Sequence, residues 1–180
     1  MIFKRHNSKL AAQAAYELAL GGIDATRLSL ADYALPIYDG DLQAKSGVPK
    51  NAVNLKRMMA AHHGILIVTP EYNSSIPPLV KNMIDWVSRV QDPHETRRQV
   101  FRERPFAIAS ASAGRFGGMR ALMALRLILT ACQAPVIPNQ LALSFANEAY
   151  DDMDRLKLPA DIEALKALVR QLIEFSQRTM

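Results

Sequence analysis

The run Ile65-Leu66-Ile67-Val68-Thr69 constrains this chain more than any other feature, because it offers no polar face before its last residue. A strand of that kind must be covered on both sides, as a central strand of a parallel sheet is. Residues 106–109 (Phe-Ala-Ile-Ala) repeat the pattern, and residues 134–137 predict a last strand. Amphipathic segments lie between them. In residues 78–90, Leu79, Val80, Met83, Ile84 and Val87 share one helical face, with Lys81, Asp85, Ser88 and Arg89 largely opposite. Residues 117–131 and a closing stretch from about Ala160 also read as helices. Near the start, residues 7–20 predict an Ala-rich helix with Asn7 or Ser8 as N-cap, ended by Gly21-Gly22. Residues 25–30 alternate, with Thr26, Leu28 and Leu30 on one side, as an edge-like strand would. A turn-rich loop then leads to a helix from near Pro49 to His62-His63-Gly64. Strands alternating with helices specify an α/β fold, a parallel sheet covered on both faces.

At 180 residues, with no repeat and no Ser/Gly linker, a single domain spanning 1–180 is expected. The lone Cys132 excludes an internal disulfide and reads as a small core residue. No apolar stretch is long enough for a membrane span, and Lys4, Arg5 and His6 interrupt any signal-peptide core, so a cytoplasmic protein without a membrane partner is expected. The formal charge of +5 is spread along the chain. Its densest stretch, Arg97-Arg98 with Arg102 and Arg104, is broken by Glu103 and reads as a solvated surface, not a nucleic-acid face.

In open parallel sheets, ligands sit beyond the carboxyl ends of the strands. Two such ends stand out. One is Thr69-Pro70-Glu71-Tyr72-Asn73-Ser74-Ser75-Ile76-Pro77-Pro78; the other is Ser110-Ala111-Ser112-Ala113-Gly114-Arg115-Phe116-Gly117-Gly118. Small residues, glycines and prolines let backbone N–H groups approach a planar polar ring while one aromatic side chain covers part of it. Other chemistries fail on spacing. Ser112 has Ser110 where a nucleophile elbow needs glycine, and all four histidines precede Ser110. His62-His63 lacks metal-ligand spacing and suits a helix C-terminus, so no metal is expected. No Walker loop or dinucleotide fingerprint is present.

Together the two loops resemble the NADPH-dependent FMN reductase family, flavodoxin-like proteins that include quinone, azo-dye and chromate reductases. TPEYNSSIPPLVKNMIDWVSR (69–89) is similar, nearly position by position, to the family's T-P-E-Y-N-x-S-x-P-x-x-L-K-N-x-I-D-W segment, and SASAGRFGGMRALMALRLIL (110–129) is similar to its S-x-x-G-x-x-G-G-x-R-x-x-x-x-L-R pattern. The resemblance implies a flavodoxin-like doubly wound sheet of order 2-1-3-4-5. It also implies FMN as cofactor, NADPH or NADH as reductant, and a quinone, azo, flavin or similar small molecule as acceptor in ping-pong turnover. Pro70, Glu71, Tyr72, Asn73 and Ser74 would line the isoalloxazine ring, with Ser110, Ser112 and Gly114 beside it. No side-chain acid or base is required, because the cofactor carries the redox chemistry.

The chain departs from the family at its start, where a strand and a G-S-x-R-x-x-S-x-N-x-x-L loop would wrap the FMN phosphate at a helix N-terminus. Only Asn7 and Leu10 match, with Arg5 at the usual serine position. Arg5, Asn7 and Lys9 remain candidate phosphate contacts. Three accounts of the missing first strand compete: an upstream start, which is the expectation, a stub at residues 1–4, or a degenerate member. The last corresponds to the alternative function, a non-enzymatic flavin-binding or interaction protein. Helix 117–131 is apolar nearly all round, with Leu122, Met123, Leu125, Leu127, Ile128 and Leu129, and predicts a homo-oligomer, which the resemblance implies to be a homodimer or homotetramer.

Overall fold

In the computed structural model, which describes residues 3–178, three parallel strands carry helices on both faces. In chain order these are α1 (Phe3–Leu20), α2 (Gly40–Ser46), α3 (Lys50–Ala60), β1 (Ile65–Val68), α4 (Pro78–Val87), α5 (Gln99–Arg102), β2 (Phe106–Ala111), α6 (Met119–Ala131), β3 (Val136–Leu143) and α7 (Pro159–Arg178). The strands lie in the order β1-β2-β3, matching the last three positions of the 2-1-3-4-5 order.

Strand β2 is buried along its whole length and divides two cores. Phe106 and Ile108 face Leu55, Ile84, Leu122, Leu125 and Leu129 of α3, α4 and α6. Ala107, Ala109 and Ala111 face Leu10, Ala14, Leu165, Leu168 and Leu172 of α1 and α7. Period-two alternation thus sorts large side chains to one face and alanines to the other, where α1 packs close.

The described sheet corrects several sequence expectations. Residues 23–29 take no regular structure, and Leu28 is exposed, so the alternating stretch 25–30 is not a strand. An alternating segment becomes a strand only beside a partner, and no neighbouring strand is present among the described residues. For the same reason β1 is an edge strand, partly exposed throughout, and not a central one. Helix α1 begins at Phe3, which places Asn7 and Ser8 inside it rather than at its cap. Its end is as expected: Gly22, at φ +74°, donates to the Ala19 carbonyl while Ile23 N–H reaches the Leu18 carbonyl, a Schellman closure.

The turn-rich loop contains α2, capped by the Asp39 carboxylate, which accepts from the N–H groups of Asp41 (2.8 Å) and Leu42 (3.0 Å). Strand β3 runs past the expected end at residue 137, through Pro138, because a register irregularity there relieves proline of its ladder donor. The Arg126 guanidinium supports that stretch, donating to the Ile137 carbonyl and Gln140 Oε1, both at 3.0 Å. Arg104 is buried, not solvated; its guanidinium donates to the carbonyls of His62 and Val100. His62 Nδ1 lies 2.6 Å from the Met58 carbonyl at the end of α3, in keeping with a role at the helix terminus. Cys132 is buried behind α6, and that burial pushes its thiol pKa up, as suits a packing residue. Among the described residues, no helix is long and apolar enough to cross a membrane.

Candidate functional site

Both loops singled out in the sequence leave the carboxyl ends of adjacent strands. After β1, Thr69 N–H makes a last ladder bond to the Ala109 carbonyl (2.9 Å), and Pro70, without an N–H, turns the chain away. Tyr72 and Ser75 then exchange backbone hydrogen bonds at 2.9 and 3.0 Å around Asn73 (φ 49°) and Ser74 (φ 64°). Two successive left-handed residues make a type I′ turn, which asparagine tolerates better than most side chains. Asn73 and Ser74 are exposed, and no described residue accepts from their N–H groups. Tyr72 is 44% exposed on its flank.

The loop after β2 is shaped by contact. Ser112 N–H donates to the Leu143 carbonyl (3.1 Å), and Ser112 Oγ accepts from Gly114 N–H (3.3 Å). Gly117, at φ +59°, sits where a Cβ would come within 2.5 Å of the Ala142 carbonyl oxygen. A Cβ on Gly118, at φ +89°, would overlap the Ser110 hydroxyl. Only glycine lets this loop lie on β3 and on the end of β2. The N–H groups of Ala113, Arg115 and Phe116 have no acceptor among the described residues.

Glu71 joins the two loops. Its carboxylate accepts from Arg120 Nε (2.8 Å), from Arg120 N–H (3.1 Å) and from Ala121 N–H (3.3 Å). Arg120 Nη2 lies 2.7 Å away. Gly118, the N-cap residue of α6, has no side chain to cap the helix, so a carboxylate from the neighbouring loop satisfies its first donors and meets the positive end of its dipole.

The structure therefore brings Pro70, Glu71, Tyr72, Asn73, Ser74, Ser112 and Gly114 to one rim. It places the others differently. Ser110 is fully buried beneath Gly118, its Oγ without a partner. Asn7 is buried on α1, where Nδ2 donates to the Ala111 carbonyl and Oδ1 accepts from Ala111 N–H, both at 2.9 Å. The amide thereby takes over the ladder positions that the chain abandons at Pro70. The Arg5 side chain lies outside the described residues, and Lys9 pairs with Asp154. Sequence reasoning passed over Arg120, although it occupies the arginine position of the quoted pattern. It also missed the segment after β3, where Ser144 Oγ donates to the Arg115 carbonyl (2.7 Å) and Phe145 N–H to that of Gly114 (3.3 Å).

Comparison with known proteins agrees with this geometry. The family model for NADPH-dependent FMN reductase matches residues 3–148. An NAD(P)H-dependent FMN reductase of Pseudomonas aeruginosa is 36% identical over 154 residues, covering 81% of this chain and 80% of that one. The quinone reductase of Escherichia coli K12 is 39% identical over 109 residues, 61% of this chain, and the match spans about half (54%) of that protein's length. FerB, a flavoenzyme NAD(P)H:(acceptor) oxidoreductase from Paracoccus denitrificans, superposes with a TM-score of 0.79 at 25% identity, covering 96% of this chain and 90% of that one. Its two rim loops, its sheet order and these matches together make the chain a member of the NADPH-dependent FMN reductase family.

Proposed function

We propose that this chain is an FMN-dependent oxidoreductase that passes reducing equivalents from NAD(P)H to a quinone-, azo- or flavin-like acceptor. The observation that carries the reading is the Glu71 bridge, which fixes two donor-bearing loops as one rigid rim at the end of the sheet. The names of the Pseudomonas and Escherichia relatives support the same reductant and an acceptor of quinone type.

The residues fit a flavin ring. The N–H groups of Asn73, Ser74, Ala113, Arg115 and Phe116, which no described residue accepts, suit the carbonyl and nitrogen edge of a planar heterocycle, and Tyr72 offers apolar surface beside it. Ser112 and Gly114 hold the second loop in its bend, while Glu71 and Asn7 stand behind the surface as supports and Ser110 lies buried beneath Gly118. When bound, FMN supplies hydride acceptance from NAD(P)H and electron delivery to the acceptor in separate half-reactions. The protein orients, shields and supplies backbone dipoles without proton transfer by a side chain. Glu71, the one carboxylate of the two loops, is already engaged with α6.

The same reading includes a homo-oligomer, dimer or tetramer. On α6, Leu122, Leu125 and Leu129 are wholly buried, whereas Met119, Met123 and Leu127 form an exposed row at helical spacing. Leu127 is 72% exposed, which suits a face covered by a second copy. Light scattering at micromolar concentration is expected to give a multiple of the 20.0 kDa chain mass.

The enzymatic test is direct. The purified chain is expected to show flavin absorption bands, to gain melting temperature with FMN, and to oxidise NADPH faster when menadione is added. A colourless protein that FMN does not stabilise would overturn the proposal and favour a non-enzymatic interaction protein.

A further inference from the structure

Arg115 is the only basic residue in the two rim loops, residues 69–78 and 110–118. Its carbonyl accepts from Ser144 Oγ, yet among the described residues no carboxylate pairs with its guanidinium. Arg120, one turn further on, is neutralised by Glu71. Both guanidinium groups gather on the ring of Phe116, with their central carbons 5.4 Å (Arg115) and 5.1 Å (Arg120) from its centre. Phe116 is 54% exposed, so it contributes little to the core. What its ring does is hold two cations in place through its π face. Arg115 is thereby restrained, uncompensated and open to solvent at the edge of the rim.

A restrained guanidinium is a receptor for a phosphate monoester, which carries about 1.5 to 2 negative charges at neutral pH. We propose that Arg115, steadied by Phe116, receives the 2′-phosphate of NADPH and makes the chain discriminate NADPH from NADH. This rests on the reading of the rim as the place where reductant meets flavin. The 5′-phosphate of FMN presents the same chemistry, so the test must separate the two sources.

Calorimetry with 2′,5′-ADP and 5′-AMP tests the phosphate contact without any flavin turnover. The wild-type chain is expected to bind 2′,5′-ADP about tenfold more tightly, the size of one partly exposed charge-assisted bond. Arg115→Gln is expected to remove that preference, and raised salt to shrink it. In steady-state assays Arg115→Gln should raise KM for NADPH about tenfold relative to that for NADH, with Arg115→Lys intermediate. The affinities for FMN and riboflavin should stay in their wild-type ratio. Equal shifts of KM for both reductants, or equal affinity of the wild type for the two adenosine phosphates, would overturn the proposal. A selective loss of FMN over riboflavin would assign Arg115 to the flavin phosphate instead and overturn it too. Failure of the parent reading is distinct: the wild type would bind no flavin and oxidise neither reductant, and the present proposal would fall with it.

Discussion

Loops 69–78 and 110–118 present exposed polar groups, whereas His6 and Asn7 of α1 have theirs turned into the fold. At the loops, a type I′ turn and the bend before the glycine pair leave the N–H groups of Asn73, Ser74, Ala113, Arg115 and Phe116 with no acceptor among the described residues. On α1, Asn7 is locked to Ala111, and His6 is buried against Tyr150, whose hydroxyl donates to the His6 carbonyl (3.0 Å). Burial raises the Tyr150 pKa, so this contact stays a neutral phenol hydrogen bond through ordinary pH. Two segments that converge on one end of the sheet thus serve different ends. In the proposed function the loops are the surface that meets a ligand, and this part of α1 is a strut that finishes the ladder of β2.

Substitutions can break that comparison, and the largest effect is expected at Gly117. Gly117→Ala forces a Cβ against the Ala142 carbonyl in a left-handed conformation, at a cost of about 3 kcal/mol or more. In a domain of this size the melting temperature should fall by about 6–12 °C. An unchanged melting curve would mean that the loop has room to yield.

Asn7→Ala comes next. It strips two buried backbone groups of Ala111 of their partners, which costs about 2–3 kcal/mol in a denaturant titration. If α1 is a strut, the folded variant keeps the wild-type ratio of FMN to riboflavin affinity. A selective loss of FMN would make Asn7 a phosphate ligand and dissolve the contrast.

Glu71→Gln sharpens the other half. The amide keeps an acceptor for α6 but loses the charge that pairs with Arg120, an effect of about 1 kcal/mol. Hydrogen exchange should quicken in residues 110–121, and FMN affinity should fall with it. Retained affinity with faster exchange would show that the loops act independently. The smallest effect belongs to Ser110→Ala, which removes a buried hydroxyl that has no partner. Stability should hold or rise by about 0.5 kcal/mol, and a clear loss would reveal a partner for Ser110.

The parts of the fold that obey local rules were legible in the sequence. The apolar runs at Ile65 and Phe106 identify strands because neither offers a polar face to water. Pro78 marks the start of α4, since its missing N–H costs nothing in a first turn. What escaped depends on distant partners. The stretch 25–30 has strand periodicity, but pairing decides whether periodicity becomes a strand. Asn7 reads as a cap because its partner, Ala111, lies 104 residues away. Both loops of the site were visible from composition and motif, yet the Glu71 cap of α6 was not. It spans 49 residues and takes the place of a local cap that Gly118 cannot supply.

An amide-resolved titration of the 180-residue chain with FMN locates the ligand most directly. The account predicts that the largest chemical-shift changes fall on residues 70–75 and 112–118, with the interior of α1 and the α7 face nearly still. Shifts centred between α1 and α7, or none at millimolar FMN, would contradict it.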